Sequence, residues 1–364
     1  MGNTCCTHNK QGERIDIQEK SIEDKKKEAL EIGQKNPDKV IKIQAIGKGM
    51  IARKKYKAKM GDKLKRNDEN HKEERLDSLN RPDVNKIVNV PDYSNAATRA
   101  TEGRLGAFVY DQDDKFDEND LIDRGPYELD NGAIYRGQWS REGLRYGRGV
   151  QIWVDGSKYE GYWRSDMANG IGRLIHADGD VYEGEWCNDK AHGKGTYTHM
   201  DGAKYTGDWR EDKQHGIGIE TWPDQARYEG NYEHGKKHGH GRFNWADGST
   251  YDGQFYDNNI HGKGVYTWSD GRRFEGDWKE NKMDGKGVFT WIDDRRYEGD
   301  YVDDKKEGYG VFQWGDGRCY KGQWLNGKQH GIGVYSAANG LERRGEWRDG
   351  RRHQWLDEEG QQNS

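Results

Sequence analysis

The histidines that precede glycine are the first residues with potential for metal chemistry. The pattern His-Gly-x-Gly recurs five times along the 364-residue chain, beginning at His192, His215, His238, His261 and His330. A zinc ion needs several ligand atoms within about 2.0–2.3 Å of itself. Strands two positions apart in a sheet are separated by about 10 Å. We therefore predict that these histidines are structural and that no metal is bound.

The acidic run DQDDKFDENDLID (111–123) has some features of a calcium-binding loop. However, Lys115 occupies a ligand position, Phe116 stands where the loop needs glycine, and Ile122 replaces the closing glutamate. We interpret the run as a solvated acidic linker. The chain also has no phosphate-binding loop and no Gly-x-Ser-x-Gly or His-Glu-x-x-His motif, so we predict no enzyme activity and no cofactor.

The composition separates two regions. Only 31% of the residues are apolar and 34% are charged, yet there are 51 Gly and 14 Trp, and every Trp lies at or after residue 139. The net charge of −5 does not favour nucleic acid as a partner. The four cysteines, Cys5, Cys6, Cys187 and Cys319, form no disulfide or zinc pattern. No apolar run approaches the length of a membrane span.

One pattern accounts for the region rich in Trp. The pattern Tyr-x-Gly-x-Trp, or a close variant, recurs nine times, and most copies are followed eleven residues after their start by Gly-x-Gly. The copies start at Tyr135, Tyr159, Tyr182, Tyr205, Tyr228, Tyr251, Phe274, Tyr297 and Tyr320, and a degenerate tenth starts at Arg343. The first interval is 24 residues and the others are 23. A fixed period of this length is typical of a repeat architecture.

Alternation within each copy predicts the secondary structure. In YEGEW, the residues Tyr182, Gly184 and Trp186 share one face of a strand, as Tyr205, Gly207 and Trp209 do in the next copy. Asp-Gly pairs such as 178–179 are a hairpin signal. Each period is therefore a two-stranded hairpin. We expect each central glycine to make room for a ring from the neighbouring strand.

These motifs resemble the MORN repeat (membrane occupation and recognition nexus) over about residues 125–350. The resemblance implies an all-β repeat array, an elongated and twisted antiparallel sheet of about ten 23-residue β-hairpins. Such arrays serve as scaffolds or anchors in ciliary radial-spoke proteins, membrane junctions and cytoskeletal organisers. Family members also suggest phosphoinositide binding, although no basic pocket in the repeats supports it directly.

The chain opens with MGNTCC, which resembles an acylation signal. Gly2 is the predicted site of myristate, and Cys5 and Cys6 are predicted sites of palmitate. Cys6 stands where the usual signal has Ser or Thr, so an unmodified terminus remains the alternative. Two acyl chains together would anchor the protein stably, whereas one binds a membrane only marginally.

A basic segment over residues 36–61 resembles an IQ motif, the helix that binds calmodulin and related light chains. The resemblance is carried by Ile43, Gln44, Gly49 and Arg53, with Lys48 in place of the usual Arg. Such a helix lays its apolar face into the groove of an acidic EF-hand protein. A basic helix on anionic lipid, or one that is simply solvated, remains an alternative.

The predicted organisation has five parts. They are an acylation-like terminus (1–9), a charged helical and partly disordered region with the IQ-like motif at 40–56 (10–80), an acidic linker (81–124), the array (125–350) and a polar tail (351–364). We predict a non-catalytic cytoplasmic scaffold at a membrane or the cytoskeleton, regulated by a calmodulin-type protein. The alternative is a ciliary or other cytoskeletal structural protein whose repeats bind proteins and not lipid.

Overall fold

The computed structural model describes residues 90–110 and 121–356. These residues divide into two compact units, and the chain passes from the first to the second between Lys237 and His238. The acylation-like terminus, the IQ-like motif and most of the acidic run lie outside the described residues. Within the described ranges, no helix is both long and apolar enough to cross a membrane.

The described residues of the first unit form one helix and ten complete strands. They are α1 (Ala96–Leu105), β1 (Leu121–Glu128), β2 (Ile134–Ser140), β3 (Arg145–Ile152), β4 (Lys158–Arg164), β5 (Met167–Ile175), β6 (Val181–Cys187), β7 (Lys190–Thr198), β8 (Lys204–Arg210), β9 (Lys213–Thr221) and β10 (Arg227–Glu233). Each strand pairs antiparallel with the next one in the sequence.

The second unit begins within β11 and repeats the same plan. Its strands are β11 (Lys236–Asn244), β12 (Thr250–Tyr256), β13 (Asn259–Thr267), β14 (Arg273–Lys279), β15 (Lys282–Thr290), β16 (Arg296–Val302), β17 (Lys305–Gln313), β18 (Cys319–Leu325), β19 (Lys328–Ser336), β20 (Glu342–Arg348) and β21 (Arg351–Trp355). Pairing is again antiparallel between consecutive strands. The predicted all-β array of repeated hairpins is confirmed.

From the β4–β5 joint onward, one joint of each repeat is a tight two-residue turn. Both central residues have positive φ, for example Asn188 (φ 51°) and Asp189 (φ 65°), which is the geometry of a type I′ turn. Asp189 also accepts a 2.8 Å hydrogen bond from the N–H of Ala168, one repeat earlier. The preference for Asn and Asp here therefore reflects both a tolerance of positive φ and a bond between successive repeats.

The Asp-Gly joint is a longer loop than the two-residue hairpin turn that Asp-Gly usually signals. In the loop that follows β5, the N–H of His176 donates to the carbonyl of Asp180, and the N–H of Gly179 donates to the carbonyl of His176. Gly179 has a φ of 91°, whereas Asp178 is not among the residues with positive φ. A type I′ turn needs positive φ at both central residues, so the Asp-Gly pairs mark a loop of another type.

Helix α1 lies within the segment predicted as a linker. The Asn95 side chain caps it by accepting hydrogen bonds from the N–H groups of Ala97 and Thr98. The Asn95 N–H in turn donates to the hydroxyl oxygen of Thr98. Gly106 ends the helix with a φ of 72°. These are ordinary signals for a helix start and end, but the helix is polar and short, so its apolar periodicity is weak.

Candidate partner-binding surfaces of the repeat array

The sheet has two faces, which we name by their side chains. The aromatic face carries Tyr182, Gly184 and Trp186 and their equivalents in the other repeats. The opposite face carries the residues between them, such as Glu183. The aromatic side chains of this motif are almost completely buried, with Tyr182 at 0% and Trp186 at 4% exposure. Glu183 is exposed. The aromatic face therefore forms the core.

A Tyr–Trp pair is the repeating unit of this core. The Tyr205 hydroxyl donates to the carbonyl of Asp208 over 2.9 Å, and the Trp209 indole N–H donates to the carbonyl of Gly195 over 3.1 Å. The rings of Tyr205 and Trp209 meet edge to face, with centroids 5.2 Å apart. Such pairs contribute about 0.5–1.5 kcal/mol beyond their burial. Both polar atoms are hydrogen-bonded to backbone, as buried polar groups require.

Within each unit, the pairs join into a row across successive repeats. Tyr182 contacts Trp186 of its own repeat at 5.0 Å and Trp209 of the next repeat at 5.1 Å, edge to face in both cases. Tyr205 in turn contacts Tyr232 of the following repeat at 5.1 Å. Each repeat thus completes the core of its neighbour, which explains why a single hairpin would be marginal and a row of hairpins stable.

The central glycines have a different structural role from the one predicted from the sequence. A Cβ on Gly207 would stand 2.5 Å from both the Cα of Gly218 and the carbonyl of Ile217, and 2.7 Å from the hydroxyl of Tyr205 in its own strand. The prediction of a neighbouring ring over Gly207 is therefore wrong. The ring of Tyr205 lies instead over Gly218, the second glycine of Gly-x-Gly. Gly184 has the same arrangement against the backbone of Lys194 and Gly195.

The first glycine of Gly-x-Gly lies in a bulge. Gly216 has a φ of 55°, and the register of β8 and β9 shifts beside it. An added Cβ there would stand 2.6 Å from the carboxylate of Asp208, which accepts a 2.9 Å hydrogen bond from the N–H of Ile217. His215 immediately precedes this bulge. Among the described residues, no group of three or more His, Cys, Asp or Glu is placed to hold a metal ion.

Two lysines lie in the aromatic face, and no sequence pattern predicts their burial. Lys306 is 7% exposed, and the rings of Trp291, Tyr297, Phe312 and Trp324 surround its ammonium at 5.2–5.3 Å. Each contact is a cation–π interaction, which is strongest where the cation is desolvated. Lys237 takes the equivalent place in its own repeat, against Trp222, Tyr228 and Tyr232 and 2.6 Å from the carboxylate of Glu220.

The opposite face of the first unit holds a segment of the same chain. We call residues 92–110 the docking segment. The side chain of the cap residue Asn95 donates to the carbonyl of Ala177 over 2.8 Å. The Thr101 hydroxyl, in helix α1, donates to the carbonyl of Gly179 over 3.1 Å. Glu102 forms a 3.1 Å ion pair with Lys158. The helix is thus fixed mainly to carbonyls of the Asp-Gly loops.

The remainder of the docking segment covers strands β3 to β5. The Arg173 guanidinium donates to the carbonyl of Gly106 over 2.8 Å and pairs with Glu160 at 2.6 Å, and both side chains are buried. Tyr110 packs edge to face on Tyr162 with centroids 5.6 Å apart. This burial raises the pKa of Tyr110 to about 12. The opposite face therefore binds a polypeptide through rings, a buried ion pair and backbone carbonyls.

Equivalent positions on the opposite face are exposed elsewhere. The residue between the two glycines is 62% exposed at Ile217, 59% at Tyr309 and 39% at Ile332. Cross-strand ion pairs alternate with them, including Lys263–Asp277 at 2.7 Å and Lys286–Asp300 at 2.9 Å. The face offers single apolar side chains among paired charges.

Two sets of predicted sites cannot be placed. The acylation sites Gly2, Cys5 and Cys6 lie outside the described residues. So do the calmodulin-binding residues Ile43, Gln44, Lys48, Gly49 and Arg53. Of the predicted sites, the structure places only the six residues of the repeat core.

Solved structures show only weak similarity to this chain. The TCP10 domain of Danio rerio CPAP in complex with a peptide of Danio rerio STIL has a TM-score of 0.35 at 9% identity, covering 65% of this chain and 98% of that one. The SAS-4 (dCPAP) TCP domain of Drosophila melanogaster, in complex with a proline-rich motif of Ana2, has a TM-score of 0.24 at 15% identity, covering 48% and 88%. TM-scores this low establish no common fold. A search of curated protein sequences gives no match.

The family comparison is decisive. The MORN repeat model matches ten consecutive segments, at residues 135–158, 159–181, 182–204, 205–227, 228–250, 251–272, 274–294, 297–317, 320–342 and 344–353. These segments agree with the hairpins of the structure, from β2 to β21. The chain therefore belongs to the MORN repeat family.

Proposed function

We propose that this protein is a non-catalytic scaffold whose repeat array binds protein partners at a membrane or cytoskeletal site. The observation that carries the proposal is the docking segment, because it is a polypeptide already bound to the array. Its contacts with Arg173, Tyr162 and the loop carbonyls of Ala177 and Gly179 are of kinds that a partner protein can make.

The repeats supply such a surface many times over. Loop carbonyls and the opposite face recur in each copy, while the side chain between the two glycines changes from Ile217 to Lys263 to Tyr309. Backbone groups would give a common mode of attachment, and the variable side chains would select the partner. Conserved geometry with variable contacts is how solenoid repeats form extended binding surfaces.

The N-terminal region would supply the tether. Myristate on Gly2 with palmitate on Cys5 and Cys6 provides the two chains that stable anchoring needs. The IQ-like helix around Ile43 and Gln44 would bind calmodulin or a related EF-hand protein. The second candidate is a ciliary or cytoskeletal structural protein whose repeats bind proteins and not lipid. The exposed side chains of the opposite face support this candidate as much as the first, because both require a protein-binding surface.

Fractionation of the tagged full-length chain tests the tether. We expect the wild type in a membrane fraction that detergent releases, Gly2→Ala in the cytosol, and Cys5→Ser with Cys6→Ser partly displaced. Persistence of the wild type and of Gly2→Ala in a detergent-extracted cytoskeleton would favour the second candidate. An unchanged membrane fraction for Gly2→Ala would contradict lipid anchoring.

The same assay tests the opposite face. Tyr309→Glu puts a charge at an exposed position of that face, and we expect it to reduce retention by the cytoskeleton or membrane complex. Asn326→Glu is the matched control, because Asn326 is exposed in the two-residue turn between β18 and β19, where Glu211 and Glu280 take the equivalent position in other repeats. Equal retention of wild type and Tyr309→Glu would argue against this face as the partner surface.

A further inference from the structure

Among the described residues, the last strand of the second unit is paired along one edge only. β21 pairs with β20 on one side, from Gly345–Trp355 to Arg348–Arg351, and no other described strand pairs with it. Arg351, Arg352, His353 and Gln354 are all exposed. An edge strand presents a row of N–H and C=O groups that can accept a further strand.

Positive charge predominates at this edge. Residues 342–353 contain five arginines and three acidic residues. Arg348 is paired with Glu346 at 2.9 Å. Among the residues that the structure describes, no carboxylate lies within ion-pair distance of Arg343, Arg344, Arg351 or Arg352.

Three arginines elsewhere on the array are each paired with a nearby aspartate. Arg272, Arg295 and Arg318 each stack on the Trp four residues earlier, at 5.3–5.5 Å from the ring centroid. Each also pairs with the aspartate two residues earlier at 2.7–2.8 Å. Arg343 and Arg352 stack on Trp355 in the same manner, at 4.6 and 4.3 Å, but without such an aspartate. At the β21 edge, arginines therefore stack on tryptophan as they do elsewhere on the array, but no aspartate two residues earlier balances their charge.

The strand at the start of the first unit is different. β1 contains Pro126, which has no N–H to donate, and Asp123 lies in the same strand. Proline on an edge strand is a common protection against strand addition. β21 has no proline, and its protection consists of positive charge alone.

We propose that the β21 edge binds an extended acidic segment of a partner protein by strand addition. Backbone hydrogen bonds would hold the added strand, and acidic side chains at neighbouring positions would meet Arg351 on one face and Arg352 on the other. A second copy of β21 fits poorly, because it would bring arginines of one copy against arginines of the other. This inference rests on the proposed scaffold function and names the chemistry of one partner.

Fluorescence anisotropy with the full-length chain tests the proposal. The probe is a fluorescein-labelled eight-residue peptide in which pairs of Glu alternate with pairs of Val, so that the added strand carries Glu on both faces. We expect saturable binding that weakens at least tenfold in Arg351→Glu with Arg352→Glu and that weakens with salt. Arg296→Glu is the matched control, since Arg296 is a partly exposed arginine in the interior strand β16, and we expect no change beyond about twofold.

A second probe separates strand addition from simple charge attraction. The same peptide with N-methyl groups on alternate residues keeps its charge but loses backbone donors on one edge. We expect it to bind the wild type at least tenfold more weakly. Equal binding of the methylated peptide, no saturable binding by the wild type, or a dimer that Arg352→Glu dissociates would each overturn the proposal. None of these outcomes affects the fractionation that tests the scaffold itself.

Discussion

The ring of Tyr205 lies over Gly218 of the neighbouring strand. A Cβ on Gly218 would stand 2.5 Å from the tyrosine hydroxyl oxygen, while Gly207, directly opposite Gly218, is closed in by backbone. The two glycines of a pair are therefore needed for separate reasons. Gly218 accepts a ring, and Gly207 allows two strands to approach closely.

The first prediction compares glycines with an exposed position. We expect Gly218→Ala and Gly207→Val each to lower the free energy of unfolding of the full-length chain by about 1–3 kcal/mol, through overpacking. Glu183→Val is the control, because Glu183 is exposed on the opposite face and the change introduces a good strand former. Thermal unfolding that shows all three equally tolerated would refute the packing role of these glycines.

The second prediction uses a natural variant within the array. Phe274 takes the place of tyrosine in its repeat and has no hydroxyl, whereas Tyr205 donates to the carbonyl of Asp208. We expect Tyr205→Phe to lower the free energy of unfolding by about 0.5–1.5 kcal/mol. Phe274→Tyr should be neutral or stabilising, because the added hydroxyl would lie near the carbonyl of Asp277. Denaturant unfolding that ranks the two changes in the reverse order would contradict this account.

The third prediction concerns Asp180. Its carboxylate accepts from Met200 N–H at 2.8 Å and Tyr197 O–H at 2.9 Å and lies 3.0 Å from His199 Nδ1. Burial opposes ionisation, but these bonds outweigh it and lower the pKa of Asp180 to about 2. Its stabilising contribution, about 2 kcal/mol, is therefore present above the unfolded pKa of 3.8 and is lost as the pH falls towards 2.

Unfolding as a function of pH measures that contribution. The difference in stability between the wild type and Asp180→Asn should be constant above pH about 5 and shrink between pH about 4 and 2. Glu183→Gln, at an exposed carboxylate, should follow the wild type. A difference that does not change with pH would show that Asp180 is not held ionised by these bonds.

The fourth prediction concerns the IQ-like segment. A peptide of residues 36–61 should gain helicity when mixed with calmodulin, because its apolar face would fold into the groove. Ile43→Asp with Gln44→Ala should abolish binding, since one change puts charge on that face and the other removes a polar contact. Titration calorimetry checks this, and an absence of heat with the wild-type peptide, both with and without calcium, would rule out the motif.

The repeat and its secondary structure can be predicted from the amino-acid pattern alone. Alternation in Tyr182, Gly184 and Trp186 depends only on the two-residue period of a strand, and the 23-residue interval repeats it. Both signals are local, so they survive without knowledge of the partner strand. The burial of the tyrosine and tryptophan rings follows from the same pattern.

Features that depend on strand register and on distant contacts are visible only in the folded structure. Whether the ring of Tyr205 lies over Gly207 or Gly218 depends on how β8 is offset against β9, which no local pattern encodes. Helix α1 is fixed by bonds from Asn95 and Thr101 to carbonyls 82 and 78 residues away. Contacts with backbone carbonyls leave no pattern in the sequence. The sequence therefore predicts a polar linker here, whereas in the structure this segment is bound to the array.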